Sequence, residues 1–267
     1  MLRAALILFC LAAPPVAAES RVAAATPARL DAAPLYVMPA DSGAADFVQS
    51  NLIFVFYHEI AHALIDILKL SVLGREEDAA DTLSALLIDR LWDEGAAVTL
   101  VTDAALAFLL FSEEAERGGA ELSNWGHHSL DLQRYYNLVC LFYGADPEGR
   151  SALAGDLGLP PPRRESCPEE YQLAADSWGA MLEGMPPQDH GPRFRLVVPS
   201  ARDAYTVLIA EEIEALNGEY GLPVFVDVTV ERCGEANAFY DPRARRVVMC
   251  IEYAEDLARL YAGRAAE

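Results

Sequence analysis

The chain has 267 residues, 53% of them apolar, and a formal net charge of −21. That length and apolar content suit one large domain or two small ones with a real core, and they exclude a disordered chain. The excess of acid repels nucleic acid and anionic lipid, so neither is an expected partner.

The N-terminus reads as a signal peptide over residues 1–18. Arg3 supplies the positive start, Ala4 to Ala13 the apolar stretch, and Val16-Ala17-Ala18 the small residues before a cut ahead of Glu19. The apolar run is too short to span a bilayer, which needs about 20 residues. No later stretch reads as a spanning helix, so the expectation is a soluble secreted or periplasmic protein without stable membrane insertion. Residues 19–45, rich in Ala and Pro, read as a loosely ordered lead-in.

From Asp46 to about Leu70 the pattern is helical and almost wholly apolar, and Gly74 suits the turn that follows. A second helix is expected from about Arg75 to Glu94, with Leu83, Leu86, Leu87, Leu91 and Trp92 as its buried stripe and acids in its first turn. Further helices are expected over Ala96 to Glu116, Ser129 to Tyr143 and Glu169 to Glu183. Asp146 to Cys167, with three consecutive prolines, reads as a loop. Beyond the breakers at Gly184 to Pro192 the character changes. Strands are expected at Phe194 to Val198 and Val224 to Glu231, with a helix from Asp203 to Glu219 between them. A hairpin of Ala238 to Tyr240 and Arg246 to Ile251 and a last helix from Ala254 to Tyr261 complete the chain. The fold class is therefore mainly α with a small α+β C-terminal part: one domain over 46–267, helical over 46–185 and α+β over 190–267.

Cys10 lies inside the signal segment, which leaves Cys140, Cys167, Cys233 and Cys250. An even count in an exported chain favours disulfides. Of the three pairings, Cys140–Cys167 with Cys233–Cys250 is preferred, because each pair falls within one region.

The chemistry centres on His58-Glu59-Ile60-Ala61-His62. On a helix, residues four apart share a face, so both imidazoles reach one tetrahedral zinc ion. Glu59 stands beside them as a general base that takes a proton from the attacking water and returns it to the leaving amine. A His and a Glu buried in so apolar a helix would be costly without such a partner. Catalytic zinc sites use three protein ligands. A histidine six residues after His62 would mark one common class, but Leu68 stands there. An acid from the next helix is the other solution. Glu77 is the expected third ligand, with Asp78 and Glu76 as alternatives, and Asp81, one turn on, would accept the outward N–H of a ligating histidine. For the oxyanion donor, His127, His128, Tyr136 and Tyr143 are candidates and His128 is preferred, because it opens a helical segment with Asp131 one turn on. Arg134 is expected to pair with Asp131.

His-Glu-x-x-His followed by Glu-x-x-Ala-Asp resembles the gluzincin clan of metallopeptidases. More closely, the chain resembles the bacterial DUF4344 family of metallopeptidases. The resemblance rests on His58 through Gly74-Arg75-Glu76-Glu77-Asp78 to Asp81, and on His128-Ser129-Leu130-Asp131 with Gln133-Arg134, Tyr136-Asn137, Cys140 and Tyr143-Gly144. It continues in Cys233-Gly234-Glu235, Asn237-Ala238, Tyr240 and Cys250. It implies a gluzincin-like helical core, one zinc per chain, and a peptide or protein substrate; the hairpin near Tyr240 is read as a structural hairpin stapled by a disulfide, with a strand edge for an extended peptide as the alternative. The rival reading is a zinc-binding, catalytically inactive envelope protein with a binding or assembly role. Substrate preference and oligomeric state are not readable from the sequence.

Overall fold

The first long helix, α1 (Ser42–Leu68), runs through the middle of the protein. The computed structural model describes residues 36–119, 124–198 and 203–264. The expected signal peptide, Cys10 and residues 19–35 of the lead-in lie outside these. The α1 helix begins four residues before its expected start, because the Asp41 carboxylate accepts a hydrogen bond from the Ala44 amide at 2.8 Å and caps it. It ends at Lys69, whose left-handed backbone (φ 54°) turns the chain back. Helices α2 (Glu76–Leu91), α3 (Glu94–Arg117) and α4 (Asp131–Ala145) follow, with α2 and α3 packed on α1 and α4 on α2 and α3.

The Pro-rich segment expected as a loop holds two short helices, α5 (Ser151–Asp156) and α6 (Pro161–Arg164), before α7 (Cys167–Glu183). Proline is tolerated in a helix's first turn, where its missing N–H has no partner in any case, and Pro161 opens α6 in that way. Arg150 is buried beside this segment. It bonds Asp89 of α2 at 2.7 Å, Glu94 of α3 at 2.6 Å and the Phe142 carbonyl of α4 at 2.8 Å, tying three helices together.

The C-terminal part comprises β1 (Phe194–Leu196), α8 (Ala204–Glu219), β2 (Val226–Glu231), β3 (Ala238–Asp241), β4 (Arg246–Cys250) and α9 (Ile251–Gly263). The strand order is β1-β2-β4-β3. Strands β1, β2 and β4 are parallel, and β3 pairs antiparallel with β4 at the edge. Val226, Val228, Val230, Val247 and Met249 are fully buried, which explains why their strands read as apolar runs. In the β3–β4 turn the Asp241 carboxylate accepts from the Arg243 and Ala244 amides, at 2.9 and 3.3 Å. The last helix starts straight after β4 rather than at Ala254. The protein is thus mainly α with a small mixed sheet, and one hydrophobic core runs through both parts.

One sequence expectation is corrected. Both α1 and α3 have the length and mean hydropathy of a membrane-spanning helix. Most of α1 is buried within the protein, under α2, α3, α8, α9 and strands β3 and β4. Its apolar character is therefore accounted for by the core.

Two disulfides are present, Cys140–Cys167 and Cys233–Cys250. Such bonds belong to oxidising, extracytoplasmic surroundings. The first joins α4 to the start of α7 where the two helices approach most closely. A Cβ on Gly144 would overlap the Cys167 carbonyl group, with the carbonyl carbon 2.7 Å away and Tyr171 Cβ at 3.0 Å. The Cys167 carbonyl is backbone at one end of the disulfide, so it has little room to yield. Gly144→Ala is therefore expected to destabilise the protein by about 1–3 kcal/mol, and a denaturant titration that shows no change in midpoint would refute this packing account.

Candidate metal centre

His58 and His62 lie one turn apart on the face of α1 that meets the start of α2. Ala61 and Ala80 are fully buried, and side chains this small let the two helices come close. The first turn of α2 then delivers its acids to the imidazoles. The His58 Nε2, His62 Nε2 and Glu77 Oε2 atoms form a triangle with sides of 3.0, 3.1 and 3.2 Å. Tetrahedral ligands placed about 2.0–2.1 Å from a zinc ion stand roughly 3.3 Å apart, so the three donors fit such an ion.

The outward nitrogens are also held. His58 Nδ1 meets Asp81 Oδ1 at 2.8 Å, and His62 Nδ1 meets Glu76 Oε1 at 2.7 Å. A carboxylate only accepts, so each Nδ1 carries the hydrogen, and each Nε2, which faces Glu77, is the atom left for a metal to take in place of a proton. Asp81 sits where the sequence expects it. Glu76, an alternative ligand by sequence, instead orients His62. Asp78, the other alternative, borders a separate cavity with Thr82 and Asn137.

Asp81 is gripped in turn. Arg134 of α4 donates to it twice, Nε to Oδ2 and Nη2 to Oδ1, both at 2.8 Å. Its guanidinium also lies 4.2 Å from the centre of the Phe108 ring. This corrects the expected Arg134–Asp131 pair. The fork of Arg134 matches a carboxylate with two acceptor oxygens, and Asp81 presents one in the packed interior. Burial raises the Asp81 carboxyl, but Arg134 and His58 outweigh it and hold it down at about 2.

His128 precedes α4 and is half-exposed. Its Nε2 lies 2.9 Å from Glu77 Oε2, the oxygen that both α1 histidines face. Burial pushes Glu77 up, but contacts with His128, His58 and His62 bring it far below the usual carboxylate range. Burial disfavours charge on His58 as well, yet Asp81 and Glu77 raise it to about 9 in the metal-free protein. His62 is raised too, against its burial, by Glu77 and Glu76.

Glu59 is buried on α1 beside these groups. Burial raises its carboxyl, opposed by His58 and His62 and by the nearby Tyr240 backbone of strand β3. A general base works best with a pKa brought up toward neutrality.

Two cavities, of about 510 and 870 Å³, share His58, Glu59, His128, Asn237 and Ala238 in their walls. Together they form a cleft along the free edge of β3, across the two histidines. The expected candidate His127 borders the larger one. Tyr136 and Tyr143 pack against the hydrophobic core instead. The sequence reading missed the roles of Glu76, Arg134 and the Tyr240 backbone.

A family model, DUF4344, described as "Putative metallopeptidase", matches residues 38–182 and 204–267. No curated protein and no solved structure matches the chain. The family match covers most of the sequence, so the chain belongs to the DUF4344 family, and the family's description implies a peptidase that uses a metal.

Asp81→Asn is expected to weaken metal binding at this site by about 10–100-fold, read by competition with a fluorescent chelator; unchanged affinity would mean that Asp81 does not orient His58. The pH dependence of the metal-free protein is also set. His58 is raised from 6.5 to about 9, so its contribution to stability is complete below pH 6.5 and is lost as the pH climbs through 9. The raised His62 adds in the same direction. Calorimetry of chelator-treated protein should show melting temperature falling across that window, and a rise there would contradict the histidine–carboxylate contacts.

Proposed function

We propose that this member of the DUF4344 family is an exported zinc metallopeptidase that hydrolyses peptide bonds in its β3-edged cleft. The observation that carries the reading is the triangle of His58 Nε2, His62 Nε2 and Glu77 Oε2, with a buried general base next to it. One zinc ion per chain is the cofactor, held by His58, His62 and Glu77. When bound, zinc supplies a Lewis acid that polarises the scissile carbonyl and makes water acidic enough to attack at neutral pH.

The chain's own residues supply the rest. Asp81 and Glu76 hold the imidazoles in register and keep hydrogen on Nδ1. Arg134 fixes Asp81 in turn. An extended peptide lies along the unpaired edge of β3 and is fixed by main-chain hydrogen bonds, which read shape rather than sequence. Glu59 takes the proton from the attacking water. It then gives that proton to the amide nitrogen as the carbon–nitrogen bond breaks. The Tyr240 backbone beside Glu59 moderates the rise that burial imposes on its carboxyl. His128 borders both halves of the cleft and is a donor to the carbonyl oxygen as it gains charge.

The reading extends to location and organisation. The signal peptide over 1–18 directs export, which agrees with the two disulfides. Residues 46–267 act as one metallopeptidase domain on a peptide or protein substrate.

Two variants test the reading. Glu77→Ala should reduce bound zinc from one ion per chain to well below that, measured by metal analysis of protein purified without chelator. Glu59→Gln should retain zinc and melting temperature but lose at least about 100-fold in hydrolysis of labelled casein. A wild-type protein that takes up no zinc on titration would sink the proposal. A zinc-loaded wild type that cleaves nothing in a broad peptide library would favour the inactive, binding reading.

A further inference from the structure

The polar groups around the smaller cavity are mostly committed. The Asn51 amide donates to the Phe47 and Asp103 carbonyls at 2.8 and 3.2 Å. Arg134 is spent on Asp81, and His128 Nε2 faces Glu77. In the adjoining cavity the Tyr240 hydroxyl donates to Asp66 at 2.8 Å. Tyr253 differs. It borders the smaller cavity with His58 and Glu59, yet its hydroxyl has no hydrogen-bond partner among the described residues.

That placement is rigid. Tyr253 lies in the first turn of α9, three residues after Cys250. Cys250 is fixed by its disulfide to Cys233 and by its amide, which donates to the Asn237 carbonyl at 3.2 Å. The phenol lies within electrostatic reach of Arg134, Asp81 and Glu59. Tyr253 is partly buried, so a donor without a protein partner there is left for water or a ligand to complete. Tyr253 shares the wall of the smaller cavity with His58 and Glu59, where a peptide would react.

We infer that Tyr253 is a catalytic residue of the proposed peptidase, its hydroxyl donating a hydrogen bond to the scissile carbonyl oxygen as negative charge builds there. The inference rests on the peptidase reading above. In the first step the water oxygen bonds to the carbonyl carbon, its proton passes to Glu59, and the carbonyl π pair moves onto oxygen. Tyr253 shares its hydrogen with that oxygen and keeps it throughout. In the second step the pair returns, the carbon–nitrogen bond breaks, and Glu59 hands its proton to the nitrogen. Burial pushes the Tyr253 phenol up to about 12, so the hydrogen stays in place across the working pH range.

The test is Tyr253→Phe, which removes one oxygen and keeps the ring. The zinc-loaded variant should match wild type in metal content and melting temperature. Its kcat on labelled casein should fall about 100-fold with KM nearly unchanged. Its affinity for phosphinic peptides, whose tetrahedral anion imitates the charged oxygen, should fall by a similar factor. Difluorotyrosine at 253 keeps the hydroxyl and should retain phosphinic binding, which guards against a folding defect in the Phe variant. If wild type cleaves casein and binds the phosphinic peptides, and Tyr253→Phe does both equally well, the role of Tyr253 is overturned while the peptidase reading stands. If wild type does neither, the peptidase reading fails and takes this inference with it.

Discussion

One imidazole, His58, is buried and a second, His62, is partly buried in a helix that is otherwise almost wholly apolar, and their four ring nitrogens must all be satisfied. Most of the site follows from that requirement. The outward nitrogens take carboxylates from α2, and the inward nitrogens converge on Glu77. Those carboxylates then need their own partners in a packed interior. Arg134 serves Asp81 from a third helix, and His128 serves Glu77 from the segment before it. The organisation is a chain of obligations running outward from the histidines. Each link fixes the orientation of the one inside it, so the inner geometry is rigid although its last members stand near the surface.

The same chain separates the charges by role. Glu77 and Asp81 are held down and stay ionised, whereas Glu59, one residue from His58, is held up by burial. Three carboxylates within a few ångströms of two histidines thus have different proton affinities. A metalloenzyme needs that division: anions that ligate or orient, and one acid that exchanges a proton. Environment makes the assignment, since the side chains themselves are chemically almost identical.

Residues close in sequence were legible, and those brought together by tertiary packing were not. His58, His62, Glu77 and Asp81 stand out because helical periodicity alone puts each pair on one face of adjacent helices. Glu76 and Glu77 are neighbours in the chain, and only the way α2 meets α1 decides that one orients and the other faces inward. Arg134 and Asp81 are 53 residues apart, and Asp131 is a nearer and plausible partner, so sequence favours the wrong pair. The Tyr240 backbone carries no side-chain signal. The short helices α5 and α6 were hidden by prolines that usually mark loops. The two disulfides were readable because each joins cysteines close in the chain, 27 and 17 residues apart.

The three inward donors and both orienting acids lie between His58 and Asp81, in two consecutive helices joined by a short turn. The strand edge that lines the cleft arrives with Ala238–Asp241, far later in the chain. Contacts between near neighbours form faster than those that must close long loops. The candidate donors therefore depend on local contacts within one helical pair, whereas the groove depends on pairing between distant parts of the chain. In the proposed peptidase, capture of the ion and admission of a peptide would rest on separate parts of the folding problem.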